Sequence, residues 1–483
     1  MEFFIFGDYD QKIITNCWEM IIFNLMINVS QKWRVGNKKG MDMISVSQIE
    51  LAFYGDDFTG STDVLESLSL RGKSTILWLR TPTSEELIGC QQYACIGIAG
   101  VSRSKSPQWM REELPAIFQC LRAVNPKYVH YKVCSTFDSS EEKGNIAVAT
   151  KIGQKALEPN WTSIVIGTPK IKRYVCFGEL FADYLGDIFR IDRHPVMSCH
   201  PATPMSEANL AQHMHNLGRV VCKSINMADY LSEQATKKIS QAIDNNEIVI
   251  FDSYDSDTLN QVGNLIRHYS QQGIHFSVSS SGFEDALYPL EEACESVSII
   301  AVKQILALSG SCSPITQSQI SYAIKEGFEP IKIDMRKMGT AQDRQDMLSS
   351  IVEQCVTIIQ AGNSPIVYSA LGPKDEDLPF VKELNIDNFD QKLGQMLGEI
   401  AYQVRSRTQI QRIAIAGGDT SGYCMQSLKV DALTFIAPFC PGVPLCQTLS
   451  SDNQTQGVEV ALKGGQMGGE DFFVKLVMGT QHG

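Results

Sequence analysis

From residue 49 onward, short apolar runs bounded by Gly or Asp alternate with longer segments in which apolar residues recur every three or four positions. The short runs predict strands and the longer segments predict helices. Strands that alternate with helices are typical of a mainly parallel sheet covered on both faces. The predicted strands are 49–54, 75–79, 94–99, 128–133, 163–166, 220–225, 247–251, 274–279, 305–308, 330–333, 366–368, 412–416, 434–436 and 458–462.

The alternation is interrupted near 285–303, so the pattern predicts two α/β domains, 49–285 and 300–480. Each is expected to be a mainly parallel sheet flanked by helices. Ligands of open α/β sheets bind beyond the carboxyl ends of the strands. We therefore expect the active site in a cleft between the domains, built from the loops that follow strands.

Residues 1–48 differ from the rest of the chain. The apolar stretch 20–29 contains two asparagines and is too short to span a bilayer, and no basic leading segment precedes it. Met41 and Met43 stand just before the first predicted strand. Our hypothesis is that translation starts at one of them, and that 1–48 is an extension without a role of its own.

Composition narrows the class of protein. The 483 residues include 42 Lys and Arg against 54 Asp and Glu, a net charge of −12, which disfavours nucleic acid or an anionic membrane as partner. A hydrophobic fraction of 43% excludes extensive disorder. The 14 cysteines include no CxxC pair, so we expect reduced thiols in a cytoplasmic protein. No metal ligands can be assigned from spacing.

Three Gly-rich loops in the second block each stand between a predicted strand and a helix start: 308–314, 416–422 and 463–471. Glycine lets the backbone approach a ligand closely, and the helix that follows offers free N–H groups to phosphate. A single loop of this kind is more often a plain connection, but three in one domain favour nucleotide binding. None has the Walker A spacing or a GxGxxG with a ribose-binding acid.

The loops of the first block carry polar groups suited to a small oxygen-rich anion. Asp56 and Asp57 follow the first strand and could bind hydroxyls, hold a metal or act as a base, although one of them could simply cap the next helix. Arg103, after another strand, could bind a carboxylate or could lie in solvent. His194 and His200 lie in a Pro-rich loop, where a histidine is more often structural than ligand-binding.

Lys132, Ser135 and Asp138 follow a third strand and make a plausible site for hydroxyl and carboxylate groups. The first block thus offers groups for a polar anion, and the second offers a phosphate cradle. This division suggests phosphoryl transfer across a cleft.

At these residues the chain resembles the four-carbon acid sugar kinases. The resemblance implies an N-terminal sugar-acid-binding domain, a C-terminal nucleotide-binding domain, and ATP with Mg²⁺ as cofactors. It covers essentially all of 49–475. The matching segments are GDDFTGSTD (55–63), KVCSTFDSS (132–140), HPATPM (200–205), SGSCSPIT (309–316), AGGDTSG (416–422), APFCPGVPL (437–445) and LKGGQMGGEDFF (462–473).

The resemblance also implies roles for single residues. Relatives often have KSGN where this chain has KGGQ, so one serine hydroxyl is missing, while the backbone role of Gly465 remains. The residues expected to face the sugar acid are Asp56, Asp57, Arg103, Lys132, Ser135 and Asp138. The residues expected to contact ATP are Ser309, Gly418, Asp419, Thr420, Ser421 and Gly465.

The implied activity is ATP-dependent phosphorylation of a four-carbon sugar acid, foremost a 3-oxo-tetronate that becomes the 4-phosphate. Asp57 is the acid expected to orient the reacting hydroxyl. Kinases of threonate, erythronate or 3-oxo-isoapionate remain open, as does a non-catalytic sugar-acid sensor. An NAD(P)-linked oxidoreductase is disfavoured because the ribose-binding fingerprint is missing. A homodimer is one assembly that the sequence leaves open.

Overall fold

A computed structural model describes residues 49–232, 234–290, 297–379, 386 and 388–480, except the side chain of Asp419. The predictions for 1–48 lie outside these residues. The strands are β1 Leu51–Gly55, β2 Thr75–Trp78, β3 Cys95–Ala99, β4 Tyr128–Lys132, β5 Trp161–Ile164, β6 Arg173–Cys176, β7 Glu179–Tyr184, β8 Asp187–Arg190, β9 Cys222–Ile225, β10 Ile248–Phe251, β11 His275–Ser279, β12 Leu306–Ser309, β13 Glu329–Lys332, β14 Pro365–Tyr368, β15 Arg412–Ala416, β16 Ala432–Cys440, β17 Val443–Leu449 and β18 Glu459–Lys463.

Helices follow most of the parallel strands, as the periodicity predicts. None of those in the described ranges is long and apolar enough to cross a membrane. The α-helices are α1 Phe58–Ser69, α2 Ser84–Ile88, α3 Pro107–Ala123, α4 Ile146–Leu157, α5 Leu210–Gly218, α6 Met227–Leu231, α7 Gln234–Asp244, α8 Ser256–Tyr269, α9 Gly282–Leu287, α10 Pro314–Lys325, α11 Ala341–Gln360, α12 Phe389–Thr408, α13 Asp419–Ser427 and α14 Phe472–Met478.

The sheets of the two predicted domains join into one sheet of 15 strands, in the order β13-β14-β12-β15-β18-β17-β16-β2-β3-β1-β4-β11-β5-β10-β9. The joint is the antiparallel pairing of β16 with β2. Pattern analysis predicted only the middle of β16 and missed β17. The reason is that prolines and a register shift interrupt the alternation along this hairpin.

The direction of the strands reverses at this joint. Three successive pairings, β18 with β17, β17 with β16 and β16 with β2, are antiparallel. All the other pairings in the sheet are parallel. The parallel strands of the first half therefore run opposite to those of the second half.

The core follows the two faces of this sheet. In β1, Leu51 and Phe53 point to one face, and Ala52 and Tyr54 point to the other. The cluster that contains Leu51 and Phe53 continues into the second half, where it includes Leu308 of β12. A continuous apolar layer thus holds the two halves together.

A separate three-stranded antiparallel sheet, β6-β7-β8, was not predicted from the sequence. Its strands are short and only partly buried, so their alternation of apolar and polar residues is weak. None of the cysteines in the described ranges forms a disulfide, consistent with the reduced thiols that we expect.

Candidate functional site

A cavity of about 270 Å³ opens at the carboxyl ends of β1 and β3, against helix α13 of the second half. Its wall contains polar groups from four loops of the first half. Four of the predicted sugar-acid residues line it: Asp56, Asp57, Arg103 and Asp138. The other lining residues are Phe58, Leu79, Ala99, Gly100, Val101, Ser104, Lys143, His200, Ala202, Thr203, Gly422, Tyr423 and Gln426.

Asp57 caps helix α1 and also holds Arg103. Its Oδ1 accepts a hydrogen bond from the backbone N–H of Gly60 at 2.5 Å. Its Oδ2 accepts one from Nη1 of Arg103 at 3.0 Å. The capping that the sequence left open is therefore present, and both carboxylate oxygens of Asp57 are engaged.

Asp56 is the most isolated acid of the site. Its residue is only 5% exposed, and no hydrogen bond reaches its carboxyl group from the described residues. Burial, together with the negative charge of Asp57, raises the pKa of Asp56 to about 8, against the opposing effect of Arg103 and Lys132. The site of the free protein therefore favours the neutral, protonated form of Asp56.

Arg103 joins Asp57 to a second carboxylate. Its Nη2 donates to Oδ1 of Asp138 at 2.8 Å. Burial alone would raise the pKa of Asp138, but Arg103 and the hydroxyls of Thr136 and Thr203 outweigh burial and lower it. Asp138 is thus an ionised, fully hydrogen-bonded anchor for the arginine.

The Pro-rich loop reaches the same network through Thr203. The Thr203 hydroxyl donates to Oδ2 of Asp138 at 2.6 Å. The backbone N–H of Thr203 donates to Nδ1 of His200 at 3.1 Å, so the ring proton of neutral His200 is on Nε2. His194 is different, because its Nδ1 accepts backbone N–H bonds from Val196 and Met197 within its own turn. His200 therefore belongs to the cavity, and His194 holds the loop.

Lys132 lies beneath the first turn of α1. Its Nζ is 3.4 Å from Oδ2 of Asp63. Burial alone would lower the pKa of Lys132, but the carboxylates of Asp63 and Asp57 raise it above the usual value. Neither Lys132 nor the half-buried Ser135 is among the residues that line the cavity.

The three Gly-rich loops of the second half converge because they follow neighbouring strands, β12, β15 and β18. The backbone N–H of Gly310 donates to the carbonyl of Ala416 at 2.9 Å. The N–H of Gly417 donates to the carbonyl of Lys463 at 3.0 Å. Ser309, the last residue of β12, is fully buried beside these bonds, and its Oγ accepts from the N–H of Ser311.

The first and third loops are also joined through Gly465. Its carbonyl accepts hydrogen bonds from the hydroxyls of Ser313 and Thr316, the latter at 3.2 Å. A Cβ atom at Gly465 would lie 3.0 Å from Oγ of Ser311 and 3.3 Å from Cβ of Ser313. The close approach of these loops therefore leaves little room for a side chain at position 465.

The second loop leads into α13, whose first residues include three of the predicted ATP contacts. Ser421 donates its hydroxyl to the carbonyl of Gly417, and Thr420 lies beside Gly310. Apart from the neighbouring residues in the chain, no described atom lies within 4 Å of the position that a Cβ of Gly418 would take, so the backbone there is open to a ligand. The side chain of Asp419 is outside the described part of the structure.

The polar cavity and the Gly-rich loops meet at the start of α1. The ring of Phe58 lies 3.3 Å from the Cβ position of Gly422 in α13. The methyl carbon of Thr59 lies 3.9 Å from the Cβ position of Gly464. The residues directly after Asp56 and Asp57 therefore lie close to two of the three loops.

Lys463, a buried lysine, was not singled out from the sequence. Its side chain is 1% exposed, and its Nζ donates to Oγ1 of Thr316 and to the carbonyl of Gly464, both at 3.0 Å. Burial lowers the pKa of Lys463 to about 8. The signal available in the sequence was a lysine at a strand end directly before two glycines.

Sequence reasoning also missed Lys143, Tyr423 and Gln426 on the cavity wall. Lys143 lies on the polar segment after Asp138, where a charged residue usually signifies only solvent exposure. Within the described ranges, no three or more His, Cys, Asp and Glu side chains are grouped so as to hold a metal ion.

Two family models match the chain. The sugar-binding N-terminal domain matches 51–287, and the nucleotide-binding C-terminal domain matches 306–473. The 3-oxo-isoapionate kinase of Paraburkholderia graminis is 38% identical over 88% of this chain and 93% of its own. A 3-oxo-tetronate kinase of Pseudomonas savastanoi pv. phaseolicola is 26% identical over 88% of this chain and 96% of its own. A crystal structure from Haemophilus influenzae shares the fold, with a TM-score of 0.69 and 22% identity over 88% of this chain and 98% of its own.

Proposed function

The chain belongs to the four-carbon acid sugar kinase family, and from this premise we propose that it phosphorylates a 3-oxo sugar acid with ATP. The observation that carries the proposal is the close approach of α1 to the Gly-rich loops. Phe58 and Thr59 lie near Gly422 and Gly464, while Asp56 and Asp57 in front of them line a polar cavity that Gly422 also lines. A sugar hydroxyl in that cavity would lie next to a phosphate held by the loops.

The charges of the cavity support an anionic substrate. Nη1 and Nη2 of Arg103 are engaged by Asp57 and Asp138. Lys143 forms no ion pair within the described ranges, and His200 has Nε2 available as a donor. We propose that Lys143 and His200 hold the substrate carboxylate, and that Arg103 positions the two aspartates.

The choice among acids rests on the comparisons. The relative that acts on 3-oxo-isoapionate is 38% identical, against 26% for the 3-oxo-tetronate kinase. We therefore place 3-oxo-isoapionate ahead of the 3-oxo-tetronate that we expected from the sequence. If the substrate is a tetronate, the predicted 4-phosphate forms by transfer of the phosphoryl group to the terminal hydroxyl.

The nucleotide enters as MgATP, with the metal bound to the phosphates. We propose that backbone N–H groups near Gly418 and Gly465 and the hydroxyl of Thr420 contact the phosphates. Asp419, Ser309 and Ser421 complete the proposed set, the last two by shaping the loops. In the transfer, the substrate oxygen bonds to the γ-phosphorus, the bond from that phosphorus to the bridging oxygen breaks, and ADP leaves.

The test is a coupled ADP-release assay of the full chain with MgATP and a panel of acids. The panel contains 3-oxo-isoapionate, 3-oxo-tetronates made in situ by a dehydrogenase, D- and L-threonate, and D-erythronate. We expect one 3-oxo acid to support turnover well above the others. Turnover of threonate or erythronate alone would overturn the 3-oxo assignment.

Calorimetric titration with MgATP separates the remaining outcomes. ATP binding without turnover of any acid would favour the sugar-acid sensor. Absence of both binding and turnover would contradict the assignment of the nucleotide site.

A further inference from the structure

Four carboxyl groups lie in the cluster around Arg103 and Lys132, and three of them are already held by donors of the protein. Asp57 accepts from Arg103 and from the backbone of α1. Asp138 accepts from Arg103 and from two hydroxyls. Asp63 lies against Lys132. These three acids are anchors of the site, since their oxygens hold cations and backbone groups.

The fourth acid, Asp56, has no such partner. Its carboxyl group lines the cavity and receives no hydrogen bond from the described residues, although the residue is only 5% exposed. The carboxyl oxygens of Asp56 are open to the cavity, so they can accept a hydrogen bond from an incoming ligand. A sugar hydroxyl is a donor of the size that this cavity admits.

Asp56 also lies between the two binding regions. Two and three residues after it, Phe58 and Thr59 lie close to Gly422 and Gly464 of the nucleotide loops. The backbone of Asp56 is fixed on both sides, because its N–H donates to the carbonyl of Lys132 and its carbonyl accepts from the N–H of Arg103. Asp56 thus has a fixed backbone and lines the same cavity as Gly422 of α13.

We propose that Asp56 is the catalytic base of the transfer and that Asp57 is a positioning residue. Asp56 as carboxylate accepts the proton of the substrate hydroxyl while the hydroxyl oxygen bonds to the γ-phosphorus. The bond to the bridging oxygen breaks, ADP leaves, and the proton stays on Asp56 until it passes to solvent after product release. Asp57 fixes the start of α1 and one arm of Arg103. This inference rests on the proposed kinase function.

Because the neutral form of Asp56 is favoured in the free protein, the proposal predicts a pH dependence of kcat/KM. Because the pKa of Asp56 is about 8, the base form becomes available only as the pH rises toward that value, so kcat/KM rises with pH. Replacing Asp57 by Asn removes the neighbouring negative charge and frees Arg103, and both changes lower the pKa of Asp56. The charged and titratable groups of the described residues that face Asp56 or line its cavity are Asp57, Arg103, Lys132, Asp138, Tyr54, Tyr131, Lys143, His200 and Tyr423.

The experiment compares Asp56→Asn with Asp57→Asn in the full chain, with 3-oxo-isoapionate and MgATP as probes. Asn replaces the neutral acid of the free protein with little change in shape, so Asp56→Asn is expected to fold and to bind MgATP normally in calorimetry. We expect kcat to fall by about 1,000-fold in Asp56→Asn, within the range for loss of a general base. For Asp57→Asn we expect a loss of about tenfold, with the rising limb of kcat/KM displaced to lower pH.

The outcomes are distinct. A larger loss in Asp57→Asn than in Asp56→Asn, or a limb that does not move in Asp57→Asn, overturns the assignment while the kinase function stands. Failure of the unaltered chain to phosphorylate any acid in the panel overturns the function, and the proposed base with it. If Asp56→Asn does not fold, the displacement of the limb between the unaltered chain and Asp57→Asn still decides the question.

Discussion

The two cations of the cavity, Arg103 and Lys143, have different roles, because only Arg103 is paired with carboxylates of the described residues. Arg103 lies between two carboxylates and so is committed to the protein. Lys143, on the segment that follows Asp138, lines the cavity and has no ion pair among the described residues. A carboxylate entering the cavity would therefore meet an uncommitted charge at Lys143.

Lys143→Gln is expected to raise the KM for the sugar acid about tenfold, the loss typical of one charge-assisted hydrogen bond. The KM for ATP and kcat should change little, because Lys143 is not part of the nucleotide loops. Steady-state kinetics at varied acid concentration measures the effect. Lys155→Gln, on the exposed end of α4, is the control and should behave like the unaltered chain.

Lys463 should impose a pH dependence on stability. Its pKa falls from 10.5 unfolded to about 8 folded, so burying its charge costs stability below pH 8, and this cost disappears as the pH rises through 8 toward 10.5. Relative to Lys463→Met, the unaltered chain should gain on the order of 3 kcal/mol over that interval. Urea unfolding at a series of pH values measures it. A constant difference would contradict the prediction, and Lys325→Met, exposed in α10, should show no such change.

At the scale of elements, α1 is the part that connects the two sites. Its cap, Asp57, holds Arg103 in the cavity, while Phe58 and Thr59 of its first turn lie close to the nucleotide loops. The loop before α14 supplies the other side of this contact. The two adjacent glycines of that loop, Gly464 and Gly465, differ in the space around them.

Gly464→Ser and Gly465→Ser form a matched pair. A Cβ at Gly464 meets nothing closer than 3.9 Å, whereas at Gly465 it meets Ser311 at 3.0 Å. We expect Gly464→Ser to fold normally and to lower the KM for ATP, since it restores the serine hydroxyl common in relatives. Gly465→Ser should raise that KM at least about tenfold by separating the loops. Equal effects in ATP titrations of the two variants would contradict this.

At the scale of the whole molecule, one sheet and one apolar layer unite the two halves. Trp78 of β2 pairs with Ala432 of β16, and the core cluster that includes Leu51 also includes Leu308. Separating the halves would expose this layer to water, which is unfavourable in proportion to the apolar area. The halves should therefore unfold together, although the family models divide them.

Calorimetric unfolding of the full chain should show one cooperative transition, displaced upward by MgATP. A ligand at 100 times its Kd adds about 2.7 kcal/mol to the stability of the state that binds it. Because the halves are coupled, the whole transition should shift. Two transitions, of which MgATP moves only one, would show that the halves unfold independently.

The regular parts of the fold could be predicted because their signals are local. Buried parallel strands such as β10 are continuous apolar runs, and the Gly-rich loops can be recognised from their composition. The sheet β6-β7-β8 could not be predicted, since its short, partly exposed strands carry little periodicity. Strand β17 contains Pro444, and its pairing with β16 shifts register. For both reasons, the sequence pattern of β17 by itself does not indicate a strand.

The same division holds for the site. The amino-acid sequence by itself determined which chemical groups follow which strands, because strand ends and turns are set by neighbouring residues. Tertiary structure alone decided that the strand direction reverses between the halves and that α1 brings the cavity to the loops. It also decided that both carboxylate oxygens of Asp57 are engaged, while the Asp56 carboxyl receives no hydrogen bond from the described residues. Those outcomes depend on contacts between residues far apart in the chain, which no local pattern encodes.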